Sequence, residues 1–306
     1  MTTYIIRRLL IAIVVLFFVS LAVFLMLHLV PGDPVEMLSF SVGQTTDMDA
    51  IRERLGLNDP LPVQYYKFLS NALQGDLGRT IRGNRPVTEE FFSRFPNTLK
   101  LVTASIFIAF VFGSLVGIAS ALRPNSLLDF MATGCSIFWI SMPSFWLGLM
   151  LIFLFSVRLG WLPTSGATTW KHFVLPAFAL SMLSMASIAR LVRSSLLDVL
   201  QEDYIRTAKA KGLSRRNVIG AHALKNSLIP AVTVAGLQFG HLLGGAVVIE
   251  MVFAIPGVGR MVVDGILARD FPLVQGSVLF LAVGVVLTNL FVDIIYVYLD
   301  PRIRYG

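Results

Sequence analysis

Long apolar runs alternate with polar segments along the chain. The first, Leu9 to Val30 (LLIAIVVLFFVSLAVFLMLHLV), has His28 as its only strongly polar side chain. At 1.5 Å per residue it is long enough to cross a hydrocarbon layer of about 30 Å. Five further runs follow at about Thr98 to Leu122, Phe130 to Val157, Phe173 to Val192, Ile229 to Ala254 and Pro272 to Leu299. Most of their residues are apolar. A segment of that kind satisfies its backbone in lipid only as a helix, so the pattern predicts an all-α membrane protein with six transmembrane helices. The third run is long enough to tilt, or to bend where Pro143 removes a backbone donor. The first run is not followed by the small-residue cleavage pattern of a signal peptide, since LVPGDP offers none, and it reads as an uncleaved anchor.

Composition supports this picture. Of 306 residues, 56% are apolar and 14% charged, against roughly 25% charged in ordinary soluble domains. The formal charge is +7, but the basic residues stand between apolar runs and form no continuous patch, which argues for topology over nucleic-acid binding. Arg7 and Arg8 precede the first run and Arg123 follows the second. Arg193, Arg206, Lys209, Lys211, Arg215, Arg216 and Lys225 follow the fourth, and Arg302 and Arg304 follow the last. All four groups fall on one side, so the positive-inside rule predicts cytoplasmic N- and C-termini.

The expected organisation is therefore a tip and first helix over 1–30, a periplasmic segment over 31–96, a five-helix core over 97–299 and a cytoplasmic tail over 300–306. The core contains a cytoplasmic loop at about 194–228. Segment 31–96 has soluble composition, with short helices expected around Asp49 to Leu55 and Val63 to Leu73. No internal repeat of the inverted kind is evident. The single cysteine, Cys135, lies in an apolar run and is expected to be a buried, inert thiol.

The polar stretch EDYIRTAKAKGLSRRNVIGAHALKNSLIP, Glu202 to Pro230, is unusual in so apolar a chain. Leu196, Leu200, Tyr204 and Ala208 recur every four residues and are expected on one face of an amphipathic helix. Gly212 suits the left-handed turn that ends a helix, and Ser214 suits the N-cap of the next, expected over Arg215 to about Lys225. Such an element either rests on anionic lipid or docks a cytoplasmic partner.

These residues carry a resemblance. Tyr204, Arg206-Thr207-Ala208, Lys211-Gly212-Leu213, His222 and Asn226 resemble the coupling loop of the permease subunits of bacterial ABC importers, in the form found in the dipeptide, oligopeptide, glutathione and nickel group. The general loop pattern has Glu and Pro where this chain has neither. LVPGDP, LGLNDPLPVQY, GDLG, SMPSFW, GWLP, EMVFAIPGVG, RDFP and DPR follow in the same order as in the first of the two permeases of such systems. The resemblance implies a type I ABC importer permease fold in the bacterial inner membrane. It also implies a second homologous permease, two cytoplasmic ATPase subunits, and a periplasmic or lipid-anchored peptide-binding protein. ATP and magnesium would be held by the ATPases, since this chain has no G-x-x-x-x-G-K-[ST] loop and is not expected to be an enzyme. Short peptides are the expected cargo, with nickel or another small solute as the alternative. A gradient-driven secondary carrier is the competing class, for which a loop shaped for an ATPase has no use.

Other residues leave alternatives open. Gly236, Gly240 and Gly244 stand four apart and let a helix approach closely, either in this chain or from the partner permease. Gln238 and His241 share another face, as an interhelical hydrogen-bonding pair or as pathway residues. Glu250 is costly in a membrane helix and reads either as a gate residue that meets a peptide amine or as a structural bond to the outer loop, while Asp293 reads as structural. Four scattered histidines form no metal-binding pattern. Ser165 and His172 fall in a short loop, without the facing-helix arrangement an intramembrane hydrolase needs.

Overall fold

The computed structural model describes residues 2–29, 52, 58–81 and 83–299. Helix α1 is Thr2–Leu29, α2 Leu61–Leu73, α3 Val87–Leu122, α4 Leu127–Ser141 and α5 Ser144–Leu151, which continues as a π-helical segment Ile152–Arg158. Helix α6 is Lys171–Val199 and α7 is Asp203–Ala210. Next comes α8, which runs over 215–227 with a π-helical middle, Val218–Ala223. Helices α9 Ile229–Val252, α10 Val258–Leu267 and α11 Phe271–Leu299 complete the described chain. Among the described residues five helices are long and apolar enough to cross a membrane, and the bent pair α4–α5 makes a sixth span if counted as one.

Of the tilt and the bend open to the third span, the structure takes the bend, since Leu127–Ser141 and Ser144–Arg158 meet at 103°. Met142 is extended there, at φ −86 and ψ 128, the conformation that a following proline ring imposes by clashing with the helical alternative. The helix of the second span begins at Val87, ahead of the expected start at about Thr98 and inside the segment expected to have soluble composition. Hydropathy marks only the apolar part of a helix. The amphipathic start is held by Glu89 and Glu90 in the first turn and by Glu90 paired to Arg85 and Arg94, each at 3.2 Å. The short helix expected at Val63 to Leu73 is present as α2, while Asp49 to Leu55 lies outside the described residues apart from Arg52.

The chain divides into two compact units, Met1–Pro96 with Gly257–Val286, and Asn97–Pro256 with Leu287–Gly306. In the first, Phe91 packs against Phe95 and Phe280 beside Val258 and Met261. The GDLG and RDFP stretches come together here. Gly78 takes φ +79, a methyl group on it would reach Pro272, and buried Asp270 accepts hydrogen bonds from Ile81 N at 2.8 Å and Leu273 N at 3.2 Å. Asp270 thus caps α11 and pins the turn before α3.

In the second unit α3 buries Leu101, Val102, Ser105 and Ala109 on one face. Farther along, Gly113 and Gly117 bring α3 against α6. A Cβ there would lie 2.7 Å from Met185 O and 2.5 Å from Ala189 O. Cys135 is exposed, contrary to expectation. An apolar run in a membrane helix need not be covered by its own chain, because lipid solvates it equally well.

The glycine contacts differ sharply in consequence. Gly117→Val should force α3 and α6 apart and cost about 1–3 kcal/mol. Gly244→Val should be nearly neutral for the isolated subunit, since nothing lies within 4 Å of a Cβ there. The fraction of monodisperse protein after graded heating in detergent measures both, and equal midpoints would refute the close-approach account.

Candidate functional site

The element 203–227 is built on a buried apolar cluster. Leu196 at the end of α6, Ile205 and Ala208 on α7, Val218 and Ala223 on α8, and Ala121 at the end of α3 pack together. The face expected from fourfold spacing is corrected here. Helix α6 stops at Val199 and α7 restarts at Asp203, so the register shifts; Ile205 joins Leu196 and Ala208 inside while Tyr204 is 41% exposed. Gly212 takes φ +78 after α7, and Ser214 Oγ accepts from Asn217 N at 3.4 Å as α8 begins. Both features match the sequence reading of the turn.

The apolar face of α7 is therefore used within the chain. Arg206, Thr207, Lys209, Lys211, Leu213, Arg215, Arg216 and His222 remain exposed. Tyr204 is fixed in place, because Asn226 Nδ2 donates to its hydroxyl at 2.9 Å. Ala208, grouped by sequence with the docking residues, lies in the seat beneath them. The result is a rigidly mounted polar and cationic surface with one fixed aromatic ring.

A buried ion pair stands close to that seat, and sequence reasoning missed it. Asp129 on α4 receives Arg193 of α6 through both carboxylate oxygens, at 2.7 and 2.8 Å, and also accepts from Asn125 N at 3.0 Å and from Ser120 Oγ. Its side chain is 6% exposed, that of Arg193 32%. Both residues fall just outside the apolar runs, where charges read as topology signals. Their position on the same expected side of the membrane was the available clue.

In the N-terminal half of α3, Thr98 Oγ1 donates at 2.6 Å to Glu250 of α9, which is fully buried. The AIPG turn beside it is strained at Ala254, φ +49, and held by Ile255 N donating to Glu250 O and by Asn97 Nδ2 donating to Pro256 O at 3.0 Å. Of the three spaced glycines, Gly236 meets Val292, with a Cβ 2.6 Å from Cγ2, Gly240 is buried, and Gly244 faces open space. Gln238 is half-buried and His241 exposed. Among the described residues no group of three or more His, Cys, Asp or Glu side chains is arranged to hold a metal.

Removing one partner of a largely buried pair leaves the other desolvated and unpaired. Asp129→Ala should thus lower stability by about 2–3 kcal/mol, discounted for the partial exposure of Arg193, and adding Arg193→Met should recover part of the loss. A double-mutant cycle on thermal midpoints checks this; strict additivity would show that the two side chains do not couple.

Comparisons with known proteins agree with this architecture. Residues 113–305 match the family described as binding-protein-dependent transport system inner membrane component, and residues 1–102 match the N-terminal family of the same membrane components. The chain is 45% identical over 305 residues to the glutathione transport system permease protein GsiC of Escherichia coli strain K12, and 46% identical to that of Pectobacterium atrosepticum, covering 100% of each chain. An inward-facing structure of the MetNI methionine ABC transporter matches with TM-score 0.58 at 20% identity, over 68% of this chain and 95% of that one. An amino acid ABC transporter matches with TM-score 0.52 at 15% identity, over 70% and 94%. With five to six apolar spans among the described residues, a permease fold and full-length relatives of this kind, the chain belongs to the binding-protein-dependent transport system inner membrane components and is a multi-pass permease subunit of a bacterial ABC importer.

Proposed function

We propose that this permease carries short peptides of the glutathione class, driven by two ATPase subunits that dock on the element 203–227. The observation that carries the proposal is the division of that element into a seated apolar face and an exposed basic face. A helix that merely rests on lipid inserts its apolar side chains into the acyl boundary. Here Ile205 and Ala208 are already spent on the chain's own core, so what faces outward is a polar surface suited to a protein partner. The substrate class is supported by the names of the full-length relatives, which are glutathione transport permeases.

In this proposal both termini and the loop at 194–228 are cytoplasmic, and 31–96 lies in the periplasm. A second, homologous permease completes the path, a periplasmic or lipid-anchored binding protein delivers the peptide, and ATP and magnesium stay on the ATPases. The chain itself performs no catalysis. When the ATPases move, the force enters through Tyr204 and the exposed cations. It then passes through Ile205 and Ala208 into Leu196 and Ala121, at the ends of α6 and α3.

Reconstitution tests the assignment. Uptake of glutathione should require ATP, both ATPases, the second permease and the binding protein; uptake by this chain alone under an ion gradient would sink it. Within such a system Gly212→Val should abolish coupled uptake while the subunit still inserts, because a β-branched residue at φ +78 is disfavoured by about 1–2 kcal/mol or more. Arg206→Glu with Lys209→Glu should instead weaken retention of the ATPases without affecting subunit stability. Normal uptake in all of these variants would dismiss the element as the coupling site.

Topology is checked separately. A cysteine at Gln74 in a Cys135→Ala background should react with an impermeant thiol reagent in intact spheroplasts. Reaction only in inverted vesicles would reverse the orientation.

A further inference from the structure

Helix α3 presents a face that its own unit leaves uncovered and that does not suit lipid. Lys100, Thr103, Ala104 and Phe107 follow at i, i+3, i+4 and i+7, which is one side of a helix. The opposite side holds the buried Thr98, Leu101, Val102 and Ser105. Three cavities open along the uncovered face and share its residues. One of about 530 Å³ lies between Lys100, Ala104 and Phe107 and the loop Ala167–Trp170. A second, of about 510 Å³, is lined by Lys100, Thr103 and Phe107, and a third, of about 700 Å³, runs from Thr103 and Phe107 to Thr233 and Gly236 of α9 and Thr288 of α11. Together they form a groove, apolar in its walls and threaded with hydroxyl groups.

Among the described residues Lys100 is the one charged side chain that lines these three cavities. It is exposed and makes no ion pair among the described residues. The wall opposite it is preformed. Gly166 N donates to Phe253 O at 3.1 Å, and His172 Nδ1 lies 2.9 Å from Thr169 Oγ1, so the loop bearing Thr168, Thr169 and Trp170 is tied down at both ends. A cation in a membrane helix carries a desolvation cost unless it meets water or an anion. An open, largely apolar groove with one positive charge attracts anionic groups, and its low-dielectric wall strengthens their pairing relative to bulk water.

We propose that Lys100, at the head of this groove, receives a carboxylate of the transported solute, and that the Lys100–Thr103–Phe107 face of α3 forms this subunit's wall of the path. The assignment builds on the peptide class proposed above, since every unblocked peptide carries a C-terminal carboxylate. Lys100 supplies charge, Thr168 and Thr169 supply hydroxyls, and Phe107 with Trp170 supplies apolar contact for the rest of the molecule.

The test uses the complete transporter in proteoliposomes, with Thr103→Cys in a Cys135→Ala background. Two thiol reagents of similar size and opposite charge are compared, an anionic sulfonatoethyl and a cationic trimethylammonioethyl methanethiosulfonate. Both should modify Thr103→Cys, and neither should modify Leu115→Cys, elsewhere on α3. Lys100→Gln should lower the anionic-to-cationic rate ratio about tenfold, as expected when a focusing charge is removed from a cleft, and Lys100→Arg should keep it. Glutathione should slow modification in the Lys100 protein more than in Lys100→Gln, and its uptake should fall in Lys100→Gln and return in Lys100→Arg.

If Thr103→Cys is as unreactive as Leu115→Cys, lipid or a partner helix fills the groove and the path assignment is wrong. An unchanged rate ratio would mean that Lys100 faces a lipid phosphate or an acid of the second permease, and would overturn the carboxylate site. The rate ratio needs no transported solute. A wild-type complex that fails to take up glutathione would therefore count against the peptide class alone, while the labelling still decides on Lys100.

Discussion

Helices α3 and α6 approach so closely that a methyl group at Gly117 would stand 2.5 Å from Ala189 O, and this contact fixes α3 against α6 within the second unit. Two helices in lipid gain little from hydrophobic exclusion, because the acyl chains are as apolar as their side chains. They associate through close van der Waals packing, which small residues permit. Gly113 and Gly117 supply that surface on α3, and the backbone of Met185 to Arg193 supplies it on α6. Val192 and Ile188 lie beside the contact, fully buried with Ala109 and Ala231.

The features assigned to function are attached to that pair. Arg193, next to the contact on α6, holds Asp129, and one turn farther Leu196 begins the seat of α7 and α8. Ala121 closes the same seat from α3. Toward its other end α3 carries Thr98 bonded to Glu250 on one side and Lys100 on the other. A displacement of the element 203–227 therefore acts on packed helices, not on loops. Closely packed interiors transmit such displacements with little loss, since they deform less readily than they shift as bodies.

Much of the fold was legible because lipid imposes a simple rule, that every spanning backbone must satisfy itself. Six apolar runs gave the spans, and Gly212 and Ser214 marked the turn between α7 and α8 through local conformational preference. What could not be read depended on partners distant in sequence. The break at Met142 was visible only as a choice between tilt and bend. The start of α3 at Val87 was hidden because Glu89, Glu90 and Arg94 read as loop residues until their pairing is seen. The seated face of α7 was misassigned by extending one helical register across residues 200–202, where the helix stops. The pair Asp129–Arg193 was concealed by the rule that made topology easy, since charges flanking a span are expected whether or not they touch.

Burial also has a different meaning here than in a soluble protein. Cys135, His241 and Gly244 lie in apolar helices yet are uncovered by their own chain, while Asp129, Asp270 and Glu250 are among its most buried side chains. In water the hydrophobic effect would drive the opposite order. In a bilayer, apolar side chains lose little by facing outward, and the polar groups must find partners inside. An uncovered apolar residue is thus uninformative about function, whereas an uncovered polar one on a spanning helix requires water, a solute or a partner subunit. By that criterion Thr103 and Lys100 distinguish the groove face of α3 from the plain apolar surface around Leu115, although both are exposed to a similar degree in the isolated chain.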